Sequence, residues 1–97
     1  MNDRVHNEDA TFLYQAILQL QTVDECLAFF QDLCTVSELK AMTQRLAVAK
    51  QLHQNKTYTE ISADTGASAA TISRVNRCLE YGADGYKTIL TRLVEED

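Results

Sequence analysis

The amino-acid sequence predicts an all-α fold of about six helices, and three observations carry that expectation. Apolar residues recur at helical spacing along most of the chain, and no alternating strand pattern survives. Thr-x-x-Glu pairs, which mark helix N-termini, occur at Thr22–Glu25, Thr35–Glu38 and Thr57–Glu60. Three Gly and no Pro among 97 residues are too few turn formers for an all-β sandwich or barrel.

Residues 1–8 are polar and aperiodic and are expected to form a flexible N-terminal arm, with 9–97 as a single helical domain. The first helix is expected from about Asp9 to Gln19, carrying Phe12, Leu13, Ala16, Ile17 and Leu20 at helical spacing. Thr22 opens a second helix with Val23, Cys26, Leu27, Phe30 and Leu33. Thr35 opens a longer third, striped by Leu39, Met42, Leu46, Ala49 and Leu52. His53 and Lys56 fall near its C-terminal end, where the helix dipole favours positive charge. In each opening the threonine hydroxyl accepts from the amide three residues on, and the carboxylate reaches back to the cap amide. Thr57 opens a short fourth helix, about Tyr58 to Thr65. Gly66 stops it, because glycine tolerates the left-handed conformation that ends many helices. Ser68 is placed to cap a fifth helix, Ala69 to about Glu80. Tyr81-Gly82-Ala83-Asp84-Gly85 is a turn, and a sixth helix carries Tyr86, Ile89, Leu90 and Leu93.

The composition, 45% apolar and 24% charged, is that of a globular chain. No apolar stretch approaches the roughly 20 residues of a membrane span, and no basic start followed by an apolar run suggests secretion, so the cytoplasm is the expected compartment. The odd number of cysteines (Cys26, Cys34, Cys78), with no CxxC and no nearby His, argues against a disulfide framework or a zinc site. All three fall on apolar helix positions and are expected to be small buried hydrophobes. His6 lies in the arm and His53 at a helix end, neither beside a plausible nucleophile. With no phosphate loop and no metal-ligand spacing, no enzyme activity, metal or cofactor is expected.

The net charge of -5 by itself disfavours nucleic acid, but its distribution does not. Residues 40–77 hold six basic and two acidic side chains, a net +4, while the rest hold three basic and twelve acidic, a net -9. The basic segment surrounds the pair of short helices about Gly66. That pair has the layout of a helix-turn-helix at about 57–80, in which two short helices cross steeply about a tight turn. Ile61, Ala63, Ala67, Ile72 and Val75 supply its packing positions. The exposed face of the second helix begins Ser68, Ala69, Ala70, Thr71 and continues with Ser73, Arg74 and Arg77. Small residues there let a helix backbone enter the major groove closely, with hydroxyls and methyls against base edges and amides or arginines against phosphate. Simple packing of two helices joined by glycine is the competing reading.

These residues also carry a family resemblance. Thr35 to Leu79 resembles the Trp-repressor superfamily of bacterial regulators. It does so through Thr35-x-x-Glu38, Gln44-Arg45-Leu46, Thr57-x-x-Glu60-Ile61, Gly66-Ala67 and Ala70-Thr71-Ile72-Ser73-Arg74. The run Ser73-Arg74-Val75-Asn76-Arg77-Cys78-Leu79, with Tyr81-Gly82-x-Asp84-Gly85-Tyr86, is similar to the narrower YerC/YecD type. The resemblance implies a Trp-repressor-like intertwined homodimer and a sequence-specific, repressor-type transcriptional regulator of double-stranded DNA. In it, two helix-turn-helix units face successive major grooves of a near-palindromic operator. Ser68, Ala69, Ala70, Thr71 and Ser73 would meet bases, and Thr57, Thr59, Arg74 and Arg77 would lie near phosphates.

By the same resemblance, Arg45 and Arg74 would sandwich an indole corepressor, with Thr35 at the pocket edge. The chain departs from the repressor at Val75, where the family has Gly, and at Cys78, where it has Ser. A Val there fills space an indole needs, and Cys is a poorer hydrogen-bond partner. Tryptophan is therefore not the expected effector. Val75 plugs the pocket, or the site takes another small molecule, or Arg45 and Arg74 serve phosphates or salt bridges. Tyr58, Thr59 and Ser62 stand where the repressor has Gln, Arg and Lys, a loss of two charges that Arg77 partly offsets. The alternative from another class is a protein-interaction module that keeps the fold without reading DNA.

Overall fold

The computed structural model describes residues 7–95. Six helices follow in order: α1 (Glu8–Ile17), α2 (Val23–Leu33), α3 (Val36–His53), α4 (Tyr58–Thr65), α5 (Ala69–Tyr81) and α6 (Gly85–Glu95). Among the described residues there is no strand, and no helix is long and apolar enough to cross a membrane. The chain divides into two compact units, Met1–Val36 and Ser37–Asp97.

In the first unit α1 starts earlier and stops sooner than its apolar pattern suggests. Asn7 caps it, its Oδ1 accepting from the Ala10 amide at 2.6 Å. Asn7 and Glu8, assigned to the arm by their polarity, thus belong to the helix start, where Glu8 and Asp9 complement the dipole; residues 1–6 of the arm lie outside the described residues. At the other end the Gln19 and Leu20 amides bond three residues back, to Ala16 and Ile17, tightening the last turn before Gln19. Thr22 caps α2 by accepting from the Glu25 amide at 3.0 Å. The Glu25 carboxylate then takes the amide of Gln21 at 2.8 Å, one residue before the cap. Neither helix holds a buried residue. Phe12, Leu18 and Val23 are 72%, 80% and 84% exposed.

The second unit has the core. Val48 and Ala49 of α3, Ile61 of α4, Ala67 of the turn, Ile72, Val75 and Leu79 of α5 and Leu90 of α6 are buried together, with Leu52 and Tyr86 packed against them. The stripe of α3 that enters this core is Val48, Ala49 and Leu52. Leu46, expected on the same stripe, is exposed, because it lies roughly 200° round the helix from Val48. α3 therefore carries apolar residues on two sides and offers only one of them to this unit. It ends in a Schellman motif that its sequence does not announce. Asn55 takes the left-handed conformation (φ 63°), its amide bonds Leu52, and the Lys56 amide bonds Gln51.

The cysteines are not buried. Cys26 and Cys34 are half-buried and Cys78 is exposed. Cys34 is the C-cap of α2, and Cys78 sits beside the buried stripe of α5 instead of on it.

Candidate nucleic-acid interface

The α4–turn–α5 element is held by short polar side chains at each of its corners. At the start of α4, Thr57 and Glu60 form a complete capping box. The Thr57 hydroxyl accepts from the Glu60 amide at 3.2 Å and donates to the Glu60 carboxylate at 3.1 Å. The carboxylate also takes the Thr57 amide at 2.9 Å. That amide, with the hydroxyl behind it, holds the Glu60 carboxyl below its ordinary pKa. Lys56 lies 4.0 Å from Asp64 across the exposed side of α4.

At the turn, Gly66 adopts φ 75° and donates its amide to the Ser62 carbonyl. The Ser62 hydroxyl donates to the Ala67 carbonyl at 2.9 Å. Thr65 donates its hydroxyl to the Ile61 carbonyl at 2.7 Å and accepts from the Ala67 amide at 3.2 Å. Gln44 of α3 reaches the Thr65 carbonyl at 3.2 Å, fastening the turn to the central helix. In the sequence Gln44 stands out only as part of a motif, and Ser62 only as a small residue at the helix crossing and a position where the chain departs from the repressor. Their work in the turn is not visible there, because a hydrogen bond across 21 positions leaves no periodic signal. Ile61, Ala67, Ile72 and Val75 are buried as expected of the packing positions. Ala63 is not: it is exposed two residues after Ile61, on the other side of α4.

α5 is two-sided. Ile72, Val75 and Leu79 face the core. Ser68, Ala69, Ala70, Ser73, Arg74 and Arg77 are exposed and Thr71 is half-buried. Ser68 caps the helix, its Oγ accepting from the Thr71 amide at 3.1 Å and donating to the Thr71 hydroxyl at 3.2 Å. The first turn of α5 holds no acidic residue. The amides of Ala69 and Ala70 begin the helix and have no helical carbonyl to bond. Among the described residues no carboxylate lies within ion-pairing distance of Arg74 or Arg77. Thr57 and Thr59 are exposed at the start of α4. A groove of about 460 Å³ runs between α4 and α5, lined by Tyr58, Thr59, Ser62, Ala63, Ala69 and Ile72.

The residues considered for a ligand pocket fare differently. Arg45 and Arg74 are exposed, and Arg45 too has no ion pair among the described residues. Val75 is 1% exposed and belongs to the core. Cys78 borders a separate apolar groove of about 350 Å³ with Gly82, Ala83, Gly85 and Tyr86. Thr35 lies in the first unit, the other four in the second. Among the described residues no group of three or more His, Cys, Asp or Glu is placed to hold a metal ion.

The chain is similar over nearly its whole length to known proteins. It is 45% identical over 95 residues to the uncharacterized protein YerC of Bacillus subtilis (strain 168), covering 98% of this chain and 91% of that one. A TrpR-like protein from Eubacterium eligens ATCC 27750 superposes with a TM-score of 0.90 at 48% identity, over 95% of each chain. A candidate Trp repressor from Staphylococcus aureus gives 0.87 at 47% identity, over 96% of this chain and 94% of that one. The sequence profile of the Trp repressor protein family matches residues 8–94. By sequence and by fold, this chain belongs to the Trp repressor family.

Proposed function

We propose that this chain is a sequence-specific DNA-binding transcriptional regulator that acts as a homodimer and reads DNA through α5. The observation that carries the reading is the two-sidedness of that helix. Its apolar stripe is buried, while its other face presents small residues at the N-terminus and two arginines further along that no described carboxylate neutralises. Short side chains let the helix backbone approach base edges, and free guanidiniums suit phosphates. Family membership supports the same reading.

The homodimer is supported by the apolar residues of α1 and α2, none of them buried within the chain. A second copy covering those faces contributes roughly 25 cal/mol per Å² of apolar surface removed from water. The burial of Val75 in the core argues against tryptophan as the effector, since the side chain is already enclosed by its own fold.

The test is selection of bound fragments from the source genome, with the wild type and an Arg74→Ala/Arg77→Ala variant in parallel. Enrichment of a near-palindromic motif by the wild type alone supports the reading. A folded dimer that enriches nothing, alone or with amino acids and indoles added, refutes it and favours an interaction module.

A further inference from the structure

Building on that DNA-reading role, we infer that the groove between α4 and the N-terminus of α5 receives thymine C5-methyl groups, so that the operator is read mainly through methyl contacts. Ser and Thr hydroxyls bond more than one kind of base and discriminate little; sharp hydrogen-bonded readout uses long planar or charged side chains: Arg or Lys on guanine, Asn or Gln on adenine, Glu or Asp on cytosine. Residues 68–73 are Ser-Ala-Ala-Thr-Ile-Ser and contain none of these. The groove residues of α4, Tyr58, Thr59, Ser62 and Ala63, contain none either.

Of the hydroxyls at this surface, three are engaged in the fold, while those of Thr59 and Ser73 are exposed. Ser68 and Thr71 bond each other and the cap amide, and Ser62 donates to the Ala67 carbonyl. What remains open to a ligand is mostly carbon. Ala63 and Ala69 are exposed on opposite walls, Tyr58 is 39% exposed at the rim, and fully buried Ile72 forms the floor. Alanine and threonine methyls against the thymine methyl are the apolar form of base readout. The occupant is duplex DNA and not an apolar peptide, because the same helix face continues into Arg74 and Arg77, without ion pairs among the described residues, inside a segment of net charge +4. Those charges complement phosphates flanking the methyl.

The test replaces thymine by deoxyuridine, one symmetric pair at a time, in an operator obtained by the genomic selection. Deoxyuridine removes the methyl and keeps the base pair. Losing one buried methyl weakens binding about fourfold, and a symmetric pair in two half-sites about fifteenfold. With the Ala69→Gly variant, which takes away one wall of the groove, the penalty for the same pair shrinks towards onefold. An operator whose binding is insensitive to deoxyuridine at every thymine overturns the methyl readout and leaves DNA reading standing. So does a sensitivity that Ala69→Gly leaves unchanged. Failure to obtain any operator overturns both.

Discussion

Truncating Val75 to alanine separates a core residue from the lining of a ligand pocket. Val75 is 1% exposed and packs in one cluster with Val48, Ala49, Ile61, Ala67, Ile72, Leu79 and Leu90. The substitution removes two methyl groups. At about 0.8 kcal/mol each the lost transfer free energy is about 1.6 kcal/mol, and the cavity left behind raises it by up to another 1 kcal/mol or so. The higher helix propensity of alanine offsets about 0.5 kcal/mol. A net destabilisation of about 2 kcal/mol lowers Tm by roughly 8–16 °C in a domain of this size. The assay is thermal denaturation followed by helical circular dichroism. Both proteins are held at one concentration, because association makes Tm concentration-dependent. If Val75 instead bordered open space, truncation would fall within about 0.5 kcal/mol, as for surface substitutions. A Tm shift below about 2 °C therefore refutes the core assignment and reopens the ligand site.

Substitutions at three further positions probe the helix ends. Gly66→Ala meets no neighbouring atom but forces a side chain onto φ 75°, so it destabilises by about 1 kcal/mol in thermal denaturation; an unchanged or raised Tm contradicts the left-handed turn. Asn55 at φ 63° gives the converse case: Asn55→Gly raises Tm or leaves it level, and Asn55→Val costs about 1–2 kcal/mol. Glu60 has a lowered pKa in the folded chain, chiefly through the Thr57 amide. Its contribution is therefore present above the unfolded-state pKa and is lost as pH falls through the folded value. Urea titrations of Glu60→Gln against wild type should differ most near neutrality and converge in acid; a gap that widens in acid reverses the sign and refutes the assignment.

The legibility of the fold followed the range of each signal. Thr22, Thr57 and Ser68 announced their helices because a cap needs one side chain and an amide three residues away. Gly66 marked its turn because few other residues take φ 75° without strain. Asn55 and Asp84 also adopt positive φ, yet both residue types are common in ordinary loops and helix starts, so neither stood out. Burial was harder to read. Leu46 and Cys78 lie on apolar positions but outside the face that the second unit covers on their helices. Periodicity tells which residues share a face, not which faces one chain covers by itself. The candidate site divided in the same way: the exposed face of α5 followed from its own periodicity, whereas Gln44 and Ser62 act through tertiary hydrogen bonds.

The charge balance bears on how such a chain could find an operator. In the proposed complex, Arg74 and Arg77 of each protomer neutralise four phosphates per dimer. The logarithm of the binding constant should then fall with the logarithm of salt concentration with a slope of about -3.6. That is shallow beside proteins that neutralise about six to ten phosphates. The acidic remainder of the chain, at net -9 outside residues 40–77, repels the duplex and weakens sequence-independent binding further. Fit at α5 must then supply most of the discrimination, which suits a reading face built from Ser, Ala and Thr at close range. Operator titrations across a salt series decide the matter. A slope near about -4, made shallower by about 1.8 in the Arg74→Ala dimer, agrees with two phosphates no longer neutralised. A slope steeper than about -6 means that other cations, such as Lys40, Lys50 or Lys56, also grip the backbone, and that binding rests on charge more than on fit.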